Sequence, residues 1–378
     1  MKKMFYTALL LPLAAAAQLS GELQPLPARV NVQADSARME QVIDGEWVAV
    51  GIRKAEAIQR DPTRPYEALP SVRFTLGTDD NTLAGYSPGE TKGRAELSYC
   101  YAVASDFAGL PARAYEDAQK MKTVYHHGKG ICPQGTKWGY RFAVYVPSTL
   151  SPEVCTIFAQ WHGMPDRTLV TAPDGQVERL STERFIALHD TTIIKKDMVY
   201  TAVSGTDKQG RPIRKAGEPT GWKVEQGGYP PLAFGFSEGV FYIKANSDRR
   251  WFTDKSDRCN ANAVRTKILK PVCSEYKAST IAYRMPFGEF PKDCWVTFTV
   301  EVDWTRYSRE TERIEAPGRL DVRMAWEGHE AHIVDDAEVL IGRNDDEGYY
   351  FKYGIYRVAG STVPVSYNLA GYRQWERK

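Results

Sequence analysis

No apolar run in this 378-residue chain is long enough to cross a bilayer as a helix, so no membrane span is expected. The run Phe5–Leu13 follows Lys2 and Lys3 and precedes the small residues Ala14–Ala17, which is the pattern of a secretory signal over residues 1–17. Cleavage near Ala17 and Gln18 is expected, giving an exported protein, periplasmic or secreted. Cysteine is scarce. The six (Cys100, Cys132, Cys155, Cys259, Cys273 and Cys294) lack metal-ligand spacing, and a chain of this length needs no disulfides to form a core. Most are expected to be buried small apolar residues; Cys132, after His126, His127 and Lys129, has a minor case as an activated thiolate. Charge of one sign is also lacking: a formal net charge of +2, without a recognisable nucleic-acid-binding motif, argues against a nucleic-acid partner. Repeats and low-complexity tracts are absent, and no sequence motif marks the carboxylate pair of a glycoside hydrolase.

Helical periodicity is rare as well, confined to Leu110–Lys122 and Ser181–Leu188. Strand patterns fill most of the rest: Val72–Leu76, Ala95–Ala102, Tyr140–Val146, Thr156–Trp161, Val240–Ala245, Thr280–Met285, Trp295–Trp304, Leu320–Trp326, Val339–Ile341 and Tyr349–Tyr356. Many short strands punctuated by Gly and Pro predict an all-β sandwich or jelly roll. Between Thr191 and Lys223 the chain carries seven basic residues against three acidic ones, with a loop-like run DKQGRPIRKAGEPTGWK. This reads as an insertion over residues 169–222 in a body made of 18–168 and 223–378.

Two stretches carry chemistry. TIFAQWHGMPDR (Thr156–Arg167) opens as an apolar strand and ends by presenting Trp161, His162, Asp166 and Arg167 around a Gly and a Pro. An aromatic face, an imidazole that titrates near neutrality and a cation at one strand end suit a sugar acid. YYFKYGIYR (Tyr349–Arg357) alternates so that Tyr350, Lys352, Gly354 and Tyr356 share one face. Lys92 and Arg94 likewise share a face in the alternating run Thr91–Glu96.

With QWHGMPDR, VEQGGYPPLAFGFSEGVFYIKANSDRRW and RNDDEGYYFKYGIYR in view, the chain resembles the bacterial type I heparin lyases. RVNVQADSAR, GETKGRAELSYCYA, TVYHHGKGICPQG and STVPVSYNLAGY extend the likeness over nearly the whole chain, from about Arg29 to Tyr372. The resemblance implies a jelly roll with a long groove and a basic thumb-like extension, a Ca2+ site, and endo-acting eliminative cleavage of heparin and highly sulfated heparan sulfate. A monomer is expected. Such a lyase abstracts the C5 proton of a uronate and expels the C4 oxygen, leaving a 4,5-unsaturated sugar. It must therefore stabilise the adjacent carboxylate, accept a proton and protonate the leaving oxygen.

The resemblance assigns the base to His162 and the acid to Tyr356, a hydroxyl whose ionisation nearby cations would ease, with Lys352 as electrostatic partner. It assigns substrate contacts to Gln33, Lys92, Arg94, Lys122, Arg167, Gln226 and Tyr350, whose guanidinium, ammonium and amide groups match sulfate, carboxylate and hydroxyl. For calcium, Glu225 and the turn Asn344, Asp345, Asp346 offer hard oxygens, and the family adds the main-chain oxygen of Trp251. The competing reading is a non-catalytic jelly-roll lectin for sulfated glycans, which would need the basic groove but neither His162 nor Tyr356. A lyase for another sulfated uronate polymer is the alternative among enzymes.

Overall fold

Period-2 burial is written clearly along the strand Trp295–Asp303, where Val296, Phe298, Val300 and Val302 are buried and the residues between them are partly exposed. That is the signature of a sheet with one face on a core and one on solvent. In the computed structural model the strand belongs to an eight-stranded sheet, flanked by Lys137–Tyr145 and Gly318–Trp326. The structure describes residues 24–25, 28–31, 40–43, 47–50, 55–80, 93–100, 130–164, 168–172, 174–181, 184, 192–195, 198–206, 212–216, 223–225, 229–253, 272–273, 275–357 and 361–378.

A second sheet of eleven strands packs its apolar face against the first. Its centre runs Leu232–Ser237, Thr156–Gly163, Tyr349–Arg357 and Arg94–Tyr99, neighbours in space though far apart in sequence. The chain passes repeatedly between the two sheets, so the all-β jelly-roll expectation holds. Between the sheets lies one aromatic core in which Phe142 sits 5.5 Å from both Phe234 and Phe298, and Trp161 sits 4.9 Å from Tyr140 and Phe351. Edge-to-face and tilted rings of this kind fix the spacing of the sheets beyond what area burial alone provides.

Nine of the ten strands read from sequence fall mainly within strands here, Ala95–Ala102 only as far as Tyr99; of Val339–Ile341 only Val339 does, as the end of a longer strand, and several other strands were not readable. Ile58–Tyr66, Leu232–Ser237, His329–Val339 and Val365–Glu376 are such additions. The loop reading of the basic run is corrected: Pro212–Ala216 is a strand paired with Met198–Thr206, which also pairs Thr192–Lys195 in a small three-stranded sheet. Leu169–Thr171 pairs both Val177–Arg179 and Lys223–Val224, joining the two ends of the basic segment. Of the expected helix Ser181–Leu188 only Ser181 and Arg184 are described, with the Arg184 amide donating to Ser181 Oγ over 3.2 Å. The expected helix Leu110–Lys122 and the signal segment 1–17 lie outside the described residues.

Candidate active site

The antiparallel register sets Tyr350 opposite His162 and Lys352 opposite Gln160, and on the other side Gly354 opposite Glu96 and Tyr356 opposite Arg94. The intervening Phe351, Tyr353, Ile355, Ala95, Leu97 and Trp161 face the core. The remaining side chains therefore stand together on the outer face of the sheet. The expected shared face of Tyr350, Lys352, Gly354 and Tyr356 holds, with a bulge against the histidine strand between Tyr353 and Tyr356. Gly354 makes this possible. Its φ is 132°, and a Cβ there would strike the Ala95 carbonyl and come within 2.7 Å of the Glu96 Cα.

Glu96, Ser98, Gln160 and Lys352 are buried although they lie away from the apolar core. Buried polar groups need partners, and for Gln160 and Lys352 Glu96 supplies them. Its Oε2 accepts from Lys352 Nζ at 2.8 Å and forms an ion pair with Arg94, whose Nε lies 2.9 Å away, while Oε1 accepts from Gln160 Nε2. The Arg94 guanidinium lies over the Tyr356 ring, 4.7 Å from its centroid. Glu96 and Gln160 were both missed in the sequence reading. Glu96 ends the alternating run that flagged Lys92 and Arg94, and Gln160 stands two residues before His162, so the period-2 signal that found their neighbours covered them too.

His162 is half-buried, with its ring 5.6 Å from that of Tyr350. Its Nδ1 lies 2.7 Å from the Gly163 carbonyl. A carbonyl only accepts, so Nδ1 carries the proton and Nε2 presents a lone pair. Desolvation, together with the charges of Lys352, Arg94 and Arg343, holds the imidazolium well below its usual range, down to about 3. The ring is therefore a neutral acceptor at physiological pH. Burial also lowers Lys352, against the pull of Glu96, to about 8. Lys352 remains mostly a cation at neutrality.

Behind His162 lies the acidic turn. A Cβ on Gly163 would collide with Asp345 Oδ2 and come within 3.0 Å of Arg343 Nη1, so this turn packs directly on the backbone that orients the imidazole. Arg343 Nη2 lies 3.3 Å from Asp345 and 3.5 Å from Glu225, all three side chains almost fully buried. Asp346 pairs with Arg179, with Arg309 at 2.7 Å, and with the Trp251 indole at 3.4 Å. Glu225 and the adjacent Asp345 and Asp346 come from two distant parts of the chain and carry oxygens of the kind calcium takes, with the Arg343 guanidinium between Glu225 and Asp345. Asn344, in the same turn, donates from its amide to the carbonyls of Arg249, Ser308 and Arg309, and its side-chain oxygen accepts from Gln134 at 3.1 Å. Its visible work is to clamp the turn.

Residues 33–369 match the family described as polysaccharide lyase. The chain belongs to that family. The lyase is 57% identical over 356 residues to heparin lyase I of Pedobacter heparinus, a match covering 93% of each chain. Among solved structures it is similar to an endo-β-1,4-glucuronan lyase from the fungus Trichoderma reesei (TM-score 0.39, 10% identity, 84% of this chain and 85% of that one). It is also similar to a family 7 alginate lyase (TM-score 0.35, 10% identity, 85% and 82%).

Within this lyase the structure brings together His162, Tyr350, Lys352, Tyr356 and Arg94 on one face. Gln33, Lys92, Lys122, Arg167 and Gln226, like Asp166, lie outside the described residues. The nucleophile reading of Cys132 is overturned: the thiol is fully buried, 2.9 Å from the Tyr140 hydroxyl, and desolvation pushes it up to about 12. Cys100, Cys155 and Cys294 likewise form no disulfide, Cys100 and Cys294 being buried and Cys155 half-buried.

Proposed function

We propose that this lyase cleaves heparin and highly sulfated heparan sulfate internally by β-elimination at the uronic acid. The observation that carries the reaction is the neutral His162, its Nε2 lone pair directed by the Gly163 carbonyl, on a face shared with two cations and two tyrosines. His162 takes the C5 proton, Lys352 and Arg94 supply positive charge for the uronate carboxylate, and Tyr356 protonates the departing C4 oxygen. The substrate class follows from the strong likeness to heparin lyase I of Pedobacter heparinus. The test is ultraviolet absorbance of the new conjugated double bond with heparin, heparan sulfate and chondroitin sulfate in parallel. A rise on heparin above the others is expected. A rise on chondroitin sulfate alone would reject the substrate, and heparin binding without any rise would leave a lectin.

We also propose a calcium ion held by Glu225 and the turn Asn344, Asp345 and Asp346, with the Trp251 carbonyl as a further donor. Bound there, the ion would pin the acidic turn to the backbone behind His162, a structural contribution. Stripping calcium with a chelator should lower the melting temperature as well as activity. An ion present a hundredfold above its dissociation constant contributes ~2.7 kcal/mol by mass action, which corresponds to several degrees of melting temperature in a chain of this size. An unchanged melting curve after rigorous chelation would remove calcium from the structure.

A further inference from the structure

We propose that Glu96 is a positioning residue that ties Lys352, Arg94 and Gln160, from three adjacent strands, into one platform and aims its two cations at the substrate's acid group. The inference deepens the eliminase reading and rests on it. Two donors and the Arg94 guanidinium converge on one carboxylate whose side chain is 2% exposed. The carboxylate depends on these partners, because Lys352 is itself 3% exposed and neither group can turn to bulk water.

The charge balance gives the platform its use. One carboxylate against two cations leaves a net positive charge on the outer face of the sheet, while cancelling enough repulsion to keep both cations in place. Glu96 holds Arg94 by the Nε edge, and the same guanidinium covers the Tyr356 ring. Moving Glu96 would therefore displace the cation beside His162 and the one beside Tyr356 together. The groups acting on Lys352 are Glu96, Arg94 and Cys100 from the arginine strand and its end, with His162 and Gln160 on the histidine strand. Glu96 is the principal one that favours the ammonium.

The experiment compares Glu96→Gln and Glu96→Asp with the wild-type chain on heparin, with the titration of Lys352 followed by NMR on lysine labelled at Cε. Glu96→Gln should lose ~10²-fold in kcat, the scale of an ångström-level misplacement, with a much smaller change in KM. Its Lys352 midpoint should fall below the wild-type value, and the alkaline limb of kcat/KM should move to lower pH with it. Glu96→Asp keeps the charge but shortens the reach, so kcat should fall while the Lys352 midpoint stays near wild type; it serves also if Glu96→Gln does not fold. A folded Glu96→Gln with unchanged Lys352 titration and kcat within about twofold overturns the platform. A midpoint that moves as expected in a protein showing no double-bond formation on any uronate polymer upholds the platform and overturns the eliminase reading.

Discussion

His162→Ala should cost ~10²–10⁴-fold in kcat, the range carried by a positioned general base, while the variant still elutes from a heparin column near the wild-type salt concentration. Binding survives because the groove's positive charge lies on Lys352 and Arg94. The chemistry fails because Nε2 is the neutral acceptor that the Gly163 carbonyl orients. Activity within tenfold of wild type would remove His162 from the base role. The pH dependence separates this reading from an ordinary histidine. With its pKa lowered from 6.5 to about 3, the free enzyme's base stays competent as pH falls, so kcat/KM should stay nearly flat through pH 6 and 5 instead of dropping tenfold per unit. The linked stability has a definite sign. The unfolded imidazole takes up a proton below 6.5 and the folded one does not until about 3, so the folded state loses stability as pH falls across that window. His162→Ala should lessen that acid loss.

The sequence showed one side of this site and not its centre. Alternation in Tyr349–Arg357 was enough to put Tyr350, Lys352 and Tyr356 on a common face, because period 2 is a property of one strand. What Lys352 binds depends on register among three strands distant in the chain, and no local pattern encodes that pairing. The unread strands fail for local reasons. Ile58–Tyr66 contains Pro62 and Pro65, which argue against a strand, and its hairpin turn uses Glu67 and Ala68 at φ 49° and 65° where Gly or Asn would have announced it. His329–Val339 is an edge strand dense in charge, a device that blocks edge pairing and also hides the β pattern. Residue type made Asn344 a candidate ligand, but could not show that its amide also braces the turn through three carbonyls that only the fold brings to it.

Tyr356→Phe should lower kcat by ~10²-fold or more, again the scale of general acid catalysis, and should leave KM and folding close to wild type because the ring and its contact with Arg94 are retained. Tyr350→Phe is the necessary control. Expulsion of the C4 oxygen must occur on the same sugar from which His162 takes the C5 proton, and by register Tyr350, not Tyr356, is the tyrosine directly opposite His162. Proximity thus favours Tyr350, whereas electrostatics favours Tyr356, whose ring lies under a guanidinium fixed by Glu96. Gly354, between Lys352 and Tyr356, lets the neighbouring strand approach closely at this point, since a Cβ there would meet the Ala95 carbonyl and the Glu96 Cα. The two variants measured on heparin decide between them. A large kcat loss confined to Tyr356→Phe assigns the acid to Tyr356 and makes Tyr350 a stacking partner for the imidazole and the substrate. A loss confined to Tyr350→Phe transfers the acid to the rung of His162 and reduces Tyr356 to a support for Arg94.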